Sequence, residues 1–230
     1  MASQAHVAYI ALMDSLTAEN YLKALFHLAG RTGEVGVSEL AKRLRIKMPT
    51  VSSMMKKLAG QGLVHYRPYK PLRLTGRGRR AALLIIRKHR LIELFLVQNM
   101  GFRWDQVHDI AEQVEHVHAA ELFEKMDAML GFPKIDPHGE PIPDKHGKIQ
   151  RATLHTLSSC REGETVTIRA VADASTEFLA YLNHHGLMLG VTITIRSVEP
   201  LDGSMKIASG KRRRETLSHP VCDRLLVERT

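Results

Sequence analysis

"KMPTVSSMMKKLAGQGLV", residues 47–64, decides the fold. Pro49 suits a first helical position, where the missing N–H leaves no helical bond unmade. Val51, Met54, Met55 and Leu58 fall on one face, and Gly60 and Gly62 end the helix. The other face carries Lys47, Thr50, Ser52, Ser53, Lys56 and Lys57. Short hydroxyls and ammonium groups near a helix start suit the major groove of DNA. Hydroxyls bond phosphate oxygens or base edges, lysines neutralise phosphate, and Pro49 offers an apolar edge to a thymine methyl.

The flanking elements fit this helix. "TAENYLKALFHLA" (17–29) reads as a helix with Thr17 as its N-cap, and "VSELAKRLRI" (37–46) as a second, short one capped by Ser38. On the far side "LVHY" (63–66) and "LRLT" (72–75) form a hairpin whose tip, "RPYKP", offers Arg67, Tyr69 and Lys70 to a backbone. Helix, short helix, turn, helix, hairpin is a winged helix-turn-helix. Charge agrees: residues 1–80 hold 14 Lys+Arg against 4 Asp+Glu, a net +10, whereas the other 150 hold 19 against 20. A basic module on a nearly neutral body predicts double-stranded DNA as partner.

Composition excludes other classes. No apolar run is long enough to span a membrane; "LLIIRKHRLIELFLV" (83–97) is interrupted by Arg87, Lys88, His89, Arg90 and Glu93. The start has no basic region followed by an apolar core, and two cysteines give no disulfide framework, so a cytoplasmic protein is expected.

The middle of the chain carries the second chemistry. Thr75 caps a predicted helix over 76–99, on which His89 and Glu93 stand one turn apart among Ile85, Ile86, Ile92, Leu96 and Val97. Ionisable groups on an apolar stripe need partners; these two bond each other or share a metal. A helix over about 104–117 places His108, Glu112, Glu115 and His116 within an arc of ~100°. That stripe is either solvated or metal-binding. Another helix covers about 119–130. "GFPKIDPHGEPIPDKHG" (131–147) reads as an irregular connector. Beyond it the period becomes alternating in "ETVTIRAV", "VTITIRSV", "MKIA" and "CDRLLVER", with one helical insert, "STEFLAYLNHHG". The "KRRR" run, 211–214, reads as a solvated turn or strand edge. The expected class is mainly α with a small β domain: a winged head over 1–75, a helical body over 76–140 and a β domain over 151–230.

"RKHRLIELFLV", then "VHDIAEQVEHV", after a winged helix containing "PTVS", resembles the diphtheria-toxin-repressor family of metal-dependent transcriptional regulators. The resemblance covers nearly the whole chain. It implies a helical dimerisation domain, an SH3-like C-terminal domain, a homodimer on a palindromic operator, and two divalent metals per subunit. One site would comprise His89, Glu93 and His108, completed from the third domain by Glu177 or, more weakly, Ser175. The other would comprise Glu112, Glu115, His116 and Asn20. Iron-type members carry cysteine where this chain has Glu112, and manganese-type members carry glutamate. A hard carboxylate in place of a thiolate favours Mn(II), then Fe(II). Two positions depart from the family: Asn20 stands where members have Met or Asp, and Lys23 where some manganese regulators place a further acid.

A metallohydrolase is disfavoured because "EQVEH" is not His-Glu-x-x-His and the basic head would have no task; no enzyme is expected. The remaining alternative is a winged-helix regulator whose His/acid cluster is structural.

Overall fold

The computed structural model describes residues 4–30, 32–150, 152–210 and 213–229, with side chains described from residue 16 onward and not at Arg213. The chain divides into two compact units. The first comprises the described residues up to His89 with 113–120 and 143–149; the second comprises 90–112, 121–142 and those beyond 149.

In the first unit helix α1, Gln4–Ala29, runs straight through Thr17. Thr17 is therefore not a cap: nothing in the preceding "AYIALMDSL" breaks a helix. Helix α2, Val37–Leu44, starts after Gly36 instead of Ser38, with Gly36 N–H donating to Glu39 Oε2 at 3.4 Å. Helix α3, Met48–Gly60, follows. Its buried face is Val51, Met55 and Leu58, which join Leu25, Leu40, Leu72 and Ile86 in one core. Strands β1, Val64–His65, and β2, Arg73–Leu74, pair antiparallel as the wing. They are shorter than the sequence implies, and a bridge between Val35 and Leu72 extends the ribbon toward the head. Thr75 then caps α4, Gly76–Met100: its Oγ1 accepts the Gly78 N–H at 3.0 Å and donates to the Gly62 carbonyl at 2.8 Å.

The second unit holds helices α5, His108–Val114, and α6, Ala120–Met129, within its stretches 90–112 and 121–142 apart from their ends. The predicted helix over 104–117 is thus shorter at both ends. Arg103 and Asp105 form an ion pair before it, with Arg103 Nη2 at 2.9 Å from Asp105 Oδ2. After Val114 the chain turns, and Lys88 Nζ takes the carbonyls of Glu115 at 3.0 Å and Val117 at 3.4 Å. Those carbonyls find their donor in a lysine from another helix.

Beyond 149 lies a six-stranded antiparallel sheet in the order β3-β8-β4-β5-β6-β7. The strands are β3, His155–Thr156; β4, Thr165–Val171; β5, Thr192–Val198; β6, Met205–Ser209; β7, Arg213–Leu217; and β8, Leu225–Arg229. Helix α7, Thr176–His185, packs Phe178, Leu179 and Leu182 into the same core as Val166, Ile168, Ile193, Ile195 and Val227. Short helix α8 is His219–Cys222. Strands β3 and β7 were not legible from alternation. The "KRRR" run opens the edge strand β7 with Arg213 and Arg214; Lys211 and Arg212 lie outside the described residues.

Candidate metal centre

Glu93 is a carboxylate only 2% exposed, on α4 between Ile92 and Leu94. Two imidazoles of the second unit meet it. His108, the first residue of α5, brings Nδ1 to 3.3 Å from Oε1. His138 brings Nδ1 to 3.6 Å from Oε2. His138 comes from "DPHGEP" in the connector. There Asp136 Oδ1 accepts the backbone N–H groups of His138 at 2.8 Å and Glu140 at 2.9 Å, an Asx turn. Gly139 has φ +85°, and a Cβ there would come within 2.1 Å of the Arg169 carbonyl oxygen, so the turn requires glycine.

The ring of His138 is oriented from behind. Its Nε2 lies 2.9 Å from the Trp104 carbonyl oxygen, and the ring stacks on the Trp104 indole at 5.9 Å. A carbonyl only accepts, so Nε2 carries the proton, and in the neutral ring Nδ1 keeps its lone pair toward Glu93. That is the orientation of a metal-ligating histidine, with a carbonyl fixing the tautomer. Donor atoms of Glu93, Asp136 and His138 all lie within 4.8 Å of one another, and all three residues are buried.

One atom of this cluster lacks a hydrogen bond. Asp136 Oδ2 is buried without a donor among the described residues. Arg90 Nε stands 3.3 Å away, within ion-pair range but outside hydrogen-bond geometry. The Arg90 guanidinium instead donates to the Pro141 carbonyl at 2.6 Å and to Glu140. Burial pushes the Asp136 carboxyl up to about 7 against the opposing Arg90 charge, with Glu93 and Glu140 adding to the rise. Burial disfavours the His138 imidazolium, but the Glu93 hydrogen bond and charge prevail and raise its pKa. Two buried carboxylates, an oriented imidazole and a carboxylate oxygen without a donor fit a divalent cation.

The second expected set is arranged differently. Glu115, 0% exposed, is held within the first unit by Lys23 Nζ at 2.6 Å from Oε1 and His89 Nδ1 at 2.6 Å from Oε2. Burial pushes its carboxyl up, but the His89 hydrogen bond and the Lys23 charge together hold it below the usual carboxylate range. His116 turns Nδ1 to Glu19 Oε2 at 2.7 Å, and His118, half-exposed, lies 3.8 Å from the other oxygen of Glu19. Asn20 is exposed. Glu112 is half-exposed on α5, 3.9 Å from His108 Nε2. Among the described residues, no cluster of three histidine, cysteine or carboxylate donors within 4.8 Å includes Glu112, Glu115 or His116. Ser175 and Glu177 are exposed at the start of α7 and likewise outside such a cluster.

The sequence reading missed Asp136 and His138. Their signal is an Asp-Pro-His-Gly turn, two donors separated by a single proline beside an obligatory glycine, inside a stretch whose Pro and Gly content reads as mere connector. The head matches the expected exposure except at Ser52. Lys47, Pro49, Thr50, Ser53 and Lys56 on α3, and Arg67, Tyr69 and Lys70 at the wing tip, are exposed; Ser52 is half-buried.

Three family descriptions match the chain: "Iron dependent repressor, N-terminal DNA binding domain" over 13–72, "Iron dependent repressor, metal binding and dimerisation domain" over 75–144, and "FeoA domain" over 155–229. The iron-dependent repressor IdeR of Mycobacterium leprae is 36% identical over 131 residues, 55% of each chain, so this chain spans about half the length of that relative. The diphtheria toxin repressor of Corynebacterium glutamicum is 35% identical over 193 residues, 78% of this chain and 83% of that one. Among solved structures, a manganese-dependent transcriptional repressor in complex with manganese superposes with a TM-score of 0.81 at 35% identity, covering 93% of this chain and 100% of that one. ScaR with bound Zn2+ superposes with a TM-score of 0.77 at 30% identity, covering 93% and 99%. The chain belongs to the iron-dependent, or diphtheria-toxin, repressor family.

Proposed function

We propose that this protein is a divalent-metal-activated transcriptional repressor of manganese or iron homeostasis genes, not an enzyme, which binds a palindromic operator as a homodimer. The observation that carries this reading is the buried Glu93, flanked by His108 and His138, beside the Asp136 oxygen without a hydrogen-bond donor. We assign Glu93, His108, Asp136 and His138 as the metal ligands. The ion would add positive charge beside the buried Glu93 and Asp136 carboxylates, at the Asp136 oxygen that Arg90 does not hydrogen-bond. His138 would offer Nδ1, and Asp136 would give up its proton to offer Oδ2.

The donors are oxygens and imidazole nitrogens. Both cysteines are buried in the C-terminal core instead. This donor set favours Mn(II), then Fe(II), over softer ions. The head, 1–75, would read DNA with Thr50, Ser52, Ser53 and Pro49 at base edges. Lys47, Lys56, Arg67 and Lys70 would serve the phosphates. The body, 76–140, would carry the dimer contact, and 151–230 would be the SH3-like domain. No helix among the described residues is long and apolar enough to cross a membrane; a repressor of this kind would act in the cytoplasm, where the DNA is. Metal must favour the DNA-competent arrangement, because only differential affinity shifts such an equilibrium.

Mobility shift of the DNA upstream of its own gene against buffered Mn(II), Fe(II) and Zn(II) tests the reading. Retardation at low free Mn(II) or Fe(II) supports it. Equal retardation in chelator, or activation by Zn(II) alone, rejects it.

A further inference from the structure

The Glu115 cluster already contains a cation. Glu115 is fully buried, and each of its oxygens has a short partner: Lys23 Nζ on one, His89 Nδ1 on the other, both at 2.6 Å. Lys23 lies on α1, with its side chain 13% exposed. His116 Nε2 is 3.7 Å from the Lys23-bound oxygen of Glu115, while its Nδ1 is taken by Glu19 at 2.7 Å. Three segments of the first unit therefore meet around one carboxylate: α1 through Lys23 and Glu19, α4 through His89, and the turn after α5 through Glu115 and His116.

We propose that the Lys23 ammonium is the resident cation of this cluster and stands where a second divalent ion would otherwise act, so that α1 is tied to α4 without metal and each subunit answers to a single metal equivalent. The proposal rests on the reading of the chain as a metal-responsive repressor. It narrows that reading from two ions per subunit to one.

The chemistry is electrostatic. A buried carboxylate is stable only when paired, and one of the two partners at 2.6 Å here is a covalently attached, permanently available ammonium. A divalent ion entering at Glu115 would bring two positive charges beside an ammonium, which must then leave its partner while it is itself largely buried. Asn20, the neutral residue one turn from Lys23 on α1, is exposed and adds no compensating charge. The cluster built on Asp136 has the opposite character: the Arg90 guanidinium beside it does not hydrogen-bond the Asp136 oxygen that faces it.

The test uses the full chain. Equilibrium dialysis against Mn(II), with bound metal counted, is run on wild type, Lys23→Met, Glu115→Gln and Glu93→Gln. Amide exchange over 19–26 is followed in the metal-free protein, with Lys23→Arg as the conservative control. The expected results are one Mn(II) per subunit in wild type, a second in Lys23→Met, and exchange over 19–26 that is at least about tenfold faster in Lys23→Met than in wild type or Lys23→Arg. Two ions in wild type, one of them lost in Glu115→Gln, would overturn the proposal. So would metal-free exchange in Lys23→Met equal to wild type, or protection in wild type that appears only with Mn(II). An ion count in Glu93→Gln equal to wild type counts against the Glu93 centre instead; the exchange comparison then decides the role of Lys23 by itself.

Discussion

His138 bridges Glu93 and the backbone at Trp104: Nδ1 lies 3.6 Å from Glu93 Oε2 while Nε2 is anchored 2.9 Å from the Trp104 carbonyl oxygen. The Trp104 carbonyl accepts from Nε2, so Nδ1 is the nitrogen turned to the carboxylate. A loop from the connector supplies this donor, a helix supplies Glu93, and the backbone at Trp104 selects the tautomer.

The Asp136 carboxyl gives the metal-free protein a pH dependence. Its folded pKa is about 7, above an unfolded value of roughly 3.9. The native state therefore holds this proton more tightly than the unfolded chain. The resulting stability is fully present below about pH 4 and is lost as pH rises through about 7. In chelator, the difference in melting temperature between wild type and Asp136→Asn should therefore shift against wild type from about pH 5 to pH 8. A difference that is constant over this range would contradict the assignment.

Gly139→Ala should damage both fold and site. The positive φ alone costs on the order of 1–3 kcal/mol in a side-chain-bearing residue, and the added Cβ would also meet the Arg169 carbonyl and Ala170. Thermal unfolding should show a loss at least of that size, accompanied by weaker Mn(II) binding. Melting at the wild-type temperature with full metal binding would show that the turn does not position His138.

Two substitutions on α3 should separate affinity from specificity. Lys56→Ala should weaken binding to operator and random DNA alike, and lower the slope of log affinity against log salt by about one. Thr50→Val should cost operator binding about 1–3 kcal/mol more than random DNA. Anisotropy titrations at several salt concentrations would measure both. Equal losses on the two DNAs for Thr50→Val would remove it from base readout.

The legible parts of this fold are those whose information is local. The α3 face of Val51, Met55 and Leu58, the Thr75 cap and the alternation in β4 and β5 all follow from period and capping. The expected helix over 104–117 is not legible at its end because α5 stops at Val114, and the contact that holds the following turn comes from Lys88 on another helix. Helical spacing then no longer relates Glu112 to Glu115 and His116. Asp136 and His138 were missed for the converse reason: Pro and Gly mark a turn, and nothing in their spacing says that the turn is buried. The Lys23–Glu115 pair joins residues 92 positions apart, beyond any periodicity.

The central claim is that metal acts through Glu93. The direct measurement is the affinity for the DNA upstream of its own gene, in chelator and at saturating Mn(II), for wild type and Glu93→Gln at one salt concentration. Wild type should tighten by at least about tenfold with Mn(II), about 1.4 kcal/mol, and Glu93→Gln should keep the wild-type affinity in chelator and show no tightening. A Glu93→Gln protein that tightens on Mn(II) as wild type does would contradict the account.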